Sequence, residues 1–310
     1  MKISFPVPEE FDFWRTVYSH GWCELPPFSV DKENHRFHRI LRLENGKLVL
    51  VILSDEGSGR LTIEVQGIKL LTRTDRKEIS TQIQSCFRLD EDYSEFYSEA
   101  RKHKLFQWIP KIGAGRLLRA PTVFEDVVKM ICTTNCSWAL TETMVENFCK
   151  KLGYRLDLPA SRAGVTGETQ FTFPKPETIA DCSEKYLRKE IRAGYRAPYL
   201  LELSKRVTRG ELNLESWRSL DVSTEELYKL VRSVKGIGPY AAGNILKLLG
   251  RYDYLGIDSW CRKKFFELHK NGRKTSDKVI EKFYEPFGKW RGLFFWMDLT
   301  KYWYDQKFPF

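Results

Sequence analysis

The stretch from Ser223 to Gly250 constrains the fold most. Ser223-Thr224-Glu225-Glu226 reads as a capping box that opens a helix, with Ser223 as N-cap and Glu226 three residues into it. Leu227, Leu230, Val231 and Val234 then recur at the spacing of one apolar helix face. The helix stops at Lys235-Gly236-Ile237-Gly238-Pro239, and Pro239 suits the first turn of a second helix. Ala241, Ala242, Ile245, Leu248 and Leu249 make the apolar face of that helix, and Gly250 ends it. Two glycines around one buried apolar residue allow a tight turn with positive φ values. Backbone N–H groups unshielded by side chains approach a phosphate closely, and the second helix N-terminus adds a favourable dipole. Lys235, Gly236, Ile237, Gly238 and Tyr240 therefore form a candidate grip on phosphate, indifferent to sequence, with Lys235 adding charge.

The charge distribution agrees with a polyanionic partner. Of 51 Lys+Arg and 41 Asp+Glu, residues 1–105 hold 16 and 17, so the whole net charge of +10 resides in the rest of the chain. A basic segment interleaved with Trp and Tyr suits nucleic acid. No run approaches the length of a membrane-spanning helix. The start, Met1-Lys2-Ile3-Ser4-Phe5-Pro6, lacks the apolar core of a secretory signal. The seven cysteines are Cys23, Cys86, Cys132, Cys136, Cys149, Cys182 and Cys261; none forms a C-x-x-C pair. They read as reduced thiols of an intracellular protein rather than a disulfide framework or a zinc site.

The first third reads as strands. Arg36–Arg42 alternates, Asn45-Gly46 is a hairpin signal, Lys47–Leu53 is apolar, Ser54–Gly59 is a turn cluster, and Leu61–Val65 alternates again. This predicts an antiparallel meander with one apolar face, followed from Asp75 by a helix carrying Ile79, Ile83 and Phe87. Beyond about residue 105 the periodicity predicts helices over 122–134, 137–152, 183–189, 196–209, 224–233, 240–249, 259–268, 276–285 and 289–303. The expected class is α+β, with an antiparallel β domain and flanking helices over 1–105 and an all-α domain over 106–310.

Leu230–Leu249 resembles the helix-hairpin-helix of the HhH-GPD DNA glycosylase superfamily. In that family a catalytic Asp follows the hairpin, and Gly256-Ile257-Asp258 here lies 20 residues past Gly238. Cys86-Phe87-Arg88-Leu89-Asp90, Ile131-Cys132-Thr133-Thr134-Asn135 and Ala193-Gly194-Tyr195-Arg196-Ala197 look like the 8-oxoguanine glycosylase branch. Phe173-Pro174-Lys175-Pro176 running into Ile179-Ala180, and Lys289-Trp290-Arg291-Gly292, look more like the bacterial 3-methyladenine glycosylase II branch. The similarity covers roughly residues 30–305, and the meander then corresponds to the β domain of both branches. The iron–sulfur cluster of the endonuclease III branch needs four closely spaced cysteines near the C-terminus, and only Cys261 lies beyond Cys182.

The resemblance implies a glycosylase of base-excision repair acting as a monomer on damaged double-stranded DNA. The expected location is the cytoplasm or nucleoid of a prokaryote, or the nucleus of a eukaryote. Breaking an N-glycosidic bond builds positive charge on the sugar, which a carboxylate such as Asp258 stabilises. Asp258 is equally a natural N-cap for the helix that follows. Lyase-capable relatives carry a Lys at the start of the second hairpin helix; that position is Tyr240, and a phenol forms no imine. The resemblance thus implies a monofunctional enzyme, with Lys235 and Lys247 the nearby amines for any weak lyase activity.

Flipping the nucleotide leaves a gap, and Asn135 matches the family's gap-filling Asn. Arg291 stands where oxidised-purine readers have a Gln, Phe295 matches their Phe, and Trp260 replaces their His. The expected base pocket is Tyr240, Trp260, Phe295, Trp138 and Arg291. Its aromatic faces favour cationic alkylated purines such as 3-methyladenine, ahead of 8-oxoguanine. The family also implies a monovalent Na+ or K+ at the hairpin carbonyls of 233–238, and no other cofactor. The rival readings are a non-catalytic duplex-DNA-binding hairpin module and an RNA-binding protein.

Overall fold

The computed structural model describes residues 1–55, 57, 59–158 and 171–306. The sheet strands are β1 (Lys2–Pro6), β2 (Phe28–Asp31), β3 (Arg36–Arg42), β4 (Leu48–Asp55) and β5 (Arg60–Gln66), all antiparallel in the order β1-β5-β4-β3-β2. The edge strands β1 and β2 were not foreseen; both are short. Residues 56 and 58 of the Ser54–Gly59 turn lie outside the described residues.

The helices of the first part are α1 (Phe13–Val17), α2 (Arg73–Cys86), α3 (Ser94–Lys102) and α4 (Trp108–Lys111). Then come α5 (Val123–Thr133), α6 (Trp138–Leu152), α7 (Pro176–Ala180), α8 (Glu184–Lys189) and α9 (Ala197–Thr208). The hairpin helices are α10 (Thr224–Arg232) and α11 (Pro239–Leu248). The chain closes with α12 (Ser259–His269), α13 (Asp277–Tyr284) and α14 (Arg291–Gln306). Every helix expected beyond residue 105 is present.

One face of the sheet carries Phe37, Leu41, Val49, Val51, Leu53, Leu61, Ile63 and Val65 into a large core shared with α5, α6, α9, α10 and α11. The other face is not polar as expected: Ile40, Leu50 and Ile52 are buried there against Leu156. The reason is the unbroken apolar run of β4, whose alternate residues point both ways and need cover on both sides. Arg39 pins sheet to helix. It is 3% exposed and its guanidinium grips Glu125 of α5, whose carboxylate also accepts from Lys129 at 2.7 Å. A second core joins α3 and α4 to α12, α13 and α14 through Phe96, Phe106, Phe265, Tyr284 and Phe294. A cleft opens between the elements of the two cores.

Candidate active site

The hairpin forms as its residues dictate. Ser223 and Glu226 close the capping box on α10. Gly236 has φ +88°, and a Cβ there would lie 2.7 Å from the Tyr199 ring, so only glycine fits. Gly238 departs from expectation: its φ of −82° suits any residue, and it serves instead as the bare N-cap of α11. Ile237 is buried beneath the turn. The N–H groups of Gly236 and Gly238 have no backbone acceptor among the described residues. Lys235 reaches Glu202 at 2.8 Å, an exposed pair that costs little to open.

Three of the carbonyls of 233–238, where a monovalent ion was expected, already accept hydrogen bonds, Gly238 O from Ala242 N–H at 2.9 Å among them. Ile237 O accepts from the Arg232 guanidinium at 2.9 Å, and Val234 O accepts from Ile237 N–H at 3.2 Å. Positive charge is thus already present under the turn. Among the described residues, no group of three or more His, Cys, Asp and Glu could hold a metal ion.

Beyond α11 the chain turns through residues 250–258 to Asp258, the N-cap of α12. Its Oδ1 accepts from Cys261 N–H at 2.7 Å, and the Cys261 thiol lies beside the same carboxylate. Asp258 faces a cleft of about 620 Å³ that also exposes Thr133, Asn135, Cys136, Tyr240, Tyr228 and Tyr254. Burial, then the negative charge of Asp258, raises the Tyr240 phenol above its ordinary value, so it stays protonated. The Tyr228 and Tyr254 rings stack with centroids 4.2 Å apart and planes 2° apart. Arg262 forks onto Asp277 with two 2.7 Å bonds, and Glu281 completes an acidic wall.

The backbone of the 250–258 turn is clamped on two sides. A Cβ on Gly243 of α11 would lie 2.8 Å from the Gly256 backbone, and a Cβ on Gly292 of α14 would overlap the Tyr254 carbonyl. Gly292 N–H donates to Tyr252 O at 2.7 Å, and Arg291 donates to Asp253 O. Fully buried Arg88 donates to the carbonyls of Lys247 and Leu248 at 2.6 and 2.8 Å, fixing the end of α11.

The expected pocket residues divide. Asp258, Tyr240 and Asn135 meet in one cleft, with Asn135 exposed at φ +46° between α5 and α6. The turn bearing Asn135 is braced by Tyr195 and Arg196, which donate to Thr134, so two separate sequence motifs meet in space. Trp138, Trp260, Phe295 and Arg291 do not line the cleft. Trp138 lies on Gly21 and donates to Glu24 at 2.9 Å. Trp260 packs against Trp296 and Trp303, and Phe295 is fully buried beside Tyr284. Arg291 holds the Asp253 carbonyl instead of reading a base. Trp260 and Phe295 were drawn to the second core, where they bury more area. The cleft's aromatic wall is Tyr228 and Tyr254, which sequence reasoning missed; no local pattern joins them.

A helix-hairpin-helix leading into an in-register carboxylate over a tyrosine-walled cleft is the arrangement of a base-excising enzyme. The chain belongs to the HhH-GPD superfamily of base excision DNA repair proteins, whose family model matches residues 128–289, and it is a DNA glycosylase. It is 24% identical over 306 residues to "Putative DNA-3-methyladenine glycosylase YfjP" of Bacillus subtilis, covering 96% of this chain and 98% of that one. It is 26% identical over 294 residues to "Probable N-glycosylase/DNA lyase" of Methanothermobacter thermautotrophicus, covering 88% of this chain and 87% of the other. Its fold matches the 3-methyladenine DNA-glycosylase from Archaeoglobus fulgidus with a TM-score of 0.76 at 21% identity, over 97% of this chain and 99% of that one. No helix among the described residues is long and apolar enough to cross a membrane.

Proposed function

We propose that this glycosylase hydrolyses the N-glycosidic bond of alkylated purines, 3-methyladenine first, flipped out of damaged duplex DNA, and leaves the strand uncut. The observation that carries this reading is a single carboxylate at the end of the hairpin unit, facing a cleft walled by tyrosines and acids. A purine alkylated on a ring nitrogen is cationic. It leaves with the bonding electron pair without first being protonated, so one carboxylate suffices. Asp258 faces the positive charge that develops at C1′ and orients the water that replaces the base. Tyr240, Tyr228 and Tyr254 supply π-faces for a cationic ring, and Glu281 adds negative potential, Asp277 being paired with Arg262.

Asn135, at the mouth of the cleft, fills the gap in the duplex, while the Gly236 and Gly238 N–H groups hold the backbone phosphate. Strand cleavage would require an amine at the cleft. Tyr240 occupies that place, Lys235 lies on the hairpin, and Lys247 is 2% exposed with its Nζ engaged.

The test is base release, by chromatography, from dimethyl-sulfate-methylated duplex DNA and from a duplex carrying 8-oxoguanine. We expect 3-methyladenine release by the wild type, its loss in Asp258→Asn, and no borohydride-trapped adduct. Release of 8-oxoguanine alone, or strong trapping, would replace this reading with that of an oxidised-purine glycosylase with lyase activity. Release by Asp258→Asn at the wild-type rate would remove Asp258 from its role.

A further inference from the structure

Lys247 is the anomaly near the site. It sits one residue from the end of α11, a helix whose other inward residues are apolar, and is 2% exposed. A buried ammonium is costly unless a carboxylate pairs with it, and among the described residues none lies within ion-pairing distance of its Nζ. The Nζ instead donates to two neutral acceptors, the Leu255 carbonyl and Asn244 Oδ1, the latter at 3.2 Å. Asn244 in turn donates to Tyr240 O at 3.0 Å and Gly256 O at 3.4 Å. The two side chains stitch α11 to the carbonyls three and two residues before Asp258.

We propose that Lys247 is a positioning residue for Asp258: its ammonium, locked between Asn244 and the Leu255 carbonyl, holds the 255–258 segment on α11 and sets a buried positive charge behind the carboxylate. The proposal rests on the reading of Asp258 as the acting carboxylate. It explains why the chain keeps a charge where leucine would pack. The residue is anchored from both ends, since Arg88 holds its main-chain carbonyl at 2.6 Å. No bond to a carboxylate is needed; Lys247 is 2% exposed, and a charge buried in protein is screened less than one in water, so its field reaches Asp258.

The surrounding groups agree. Those facing Lys247 are Asp258 and Cys261 at the start of α12, His20 from the segment before β2, and the ring of Phe295 on α14, 5.6 Å from Nζ. Burial pushes the Cys261 thiol far up and holds His20 down at about 3, so both are neutral in the working range. Burial also lowers Lys247 to about 8, with Cys261 and Asp258 pulling the other way. Lys247 is thus the one group in this cluster that changes charge between about pH 7 and 9. Raising the pH removes its proton, so the positioning is intact below about pH 8 and lost above it.

Two measurements test this on the full-length protein. The first is single-turnover release of 3-methyladenine from methylated duplex DNA, as a function of pH, for wild type and Lys247→Met. We expect an alkaline fall centred near about pH 8 in the wild type. In Lys247→Met that limb disappears and the neutral-pH rate drops by roughly 100-fold, the cost of displacing a reacting group by about 1 Å. Duplex affinity should hold, while the melting temperature falls modestly, because the Leu255 carbonyl and Asn244 Oδ1 lose their buried donor. A variant that keeps the wild-type rate and the alkaline limb overturns the proposal.

The second measurement needs no substrate and no Lys247 variant. The Lys247 side chain, followed by NMR, should titrate near about pH 8 in the wild type and lower in Asp258→Asn, because the coupling is mutual. An identical midpoint in both proteins overturns the proposal whatever base the enzyme releases. Absence of base release by the wild type, with the titration shift intact, would instead count against the substrate reading alone.

Discussion

The two turns that flank α11 are built by opposite means. The hairpin turn before it is local: one glycine at positive φ, one buried isoleucine, and N–H groups without backbone acceptors. The turn after it is held by Asn244 and Lys247 of the adjoining α11 and by residues remote in sequence, Arg88 from the first third of the chain and Arg291 and Gly292 from α14. The difference suits the tasks proposed for them. A phosphate grip must keep main-chain groups free and tolerates adjustment. A carboxylate that meets developing charge must stay within a fraction of an ångström of one place. The first needs few neighbours and the second needs many.

This contrast can be broken by substitutions that strike one turn only. The largest effect is expected for Gly243→Val, which drives a side chain into the Gly256 backbone. Base release should fall by roughly 100-fold while duplex affinity changes little, as read by single-turnover kinetics and fluorescence anisotropy. Gly236→Ala should do the reverse. Its left-handed φ of +88° costs an alanine about 1–2 kcal/mol and its Cβ would meet the Tyr199 ring at 2.7 Å, so the turn shifts and duplex affinity should drop roughly tenfold or more while the rate at saturating enzyme holds. If Gly243→Val weakens binding and Gly236→Ala slows the chemistry, the two turns are not separable.

Smaller changes sharpen the picture. Tyr254→Ala removes half of the stacked pair. Stacking of a base on an aromatic ring is worth about 1–3 kcal/mol, so the preference for methylated over unmodified purine should shrink by about tenfold in competition assays. The smallest effect concerns α12 and α13. Residues 259–282 hold 8 Lys+Arg against 3 Asp+Glu. Exposed Arg273 and Lys274 make no ion pair among the described residues. The double change Arg273→Ala, Lys274→Ala should lower the salt dependence of duplex binding by about 0.9 for each phosphate that these side chains neutralise, with the rate of base release unchanged.

Much of this was legible along the chain. The capping box, the Lys-Gly-Ile-Gly-Pro break and the apolar faces of α10 and α11 are short-range patterns, and all appear in the structure. Asp258 was readable because a hairpin and a cap are local and their separation is a count of residues. The pocket was not. Trp260 and Phe295 sit at helical spacing, which fixes a face but not what covers it; the second core covers both. Trp138 was expected to meet a base and meets Gly21. Tyr228 and Tyr254 gave no signal, because they stack only once α10 and the 250–258 turn come together.

The sheet teaches the same lesson. Its three central strands were visible along the chain, β3 and β5 by alternation and β4 as an apolar run, but Leu156, which covers the second face, lies far downstream. The chain alone therefore determined its hairpin, its longer helices beyond residue 105, its basic surplus and the position of its carboxylate after the hairpin, because backbone sterics, capping and periodicity act over a few residues. It did not determine the helices α1, α3, α4 and α7. Tertiary structure alone decided which aromatic rings wall the cleft, why Lys247 is buried, and where Asp258 points. Those depend on packing between segments far apart in sequence, where burial is settled by competition among all the apolar side chains at once.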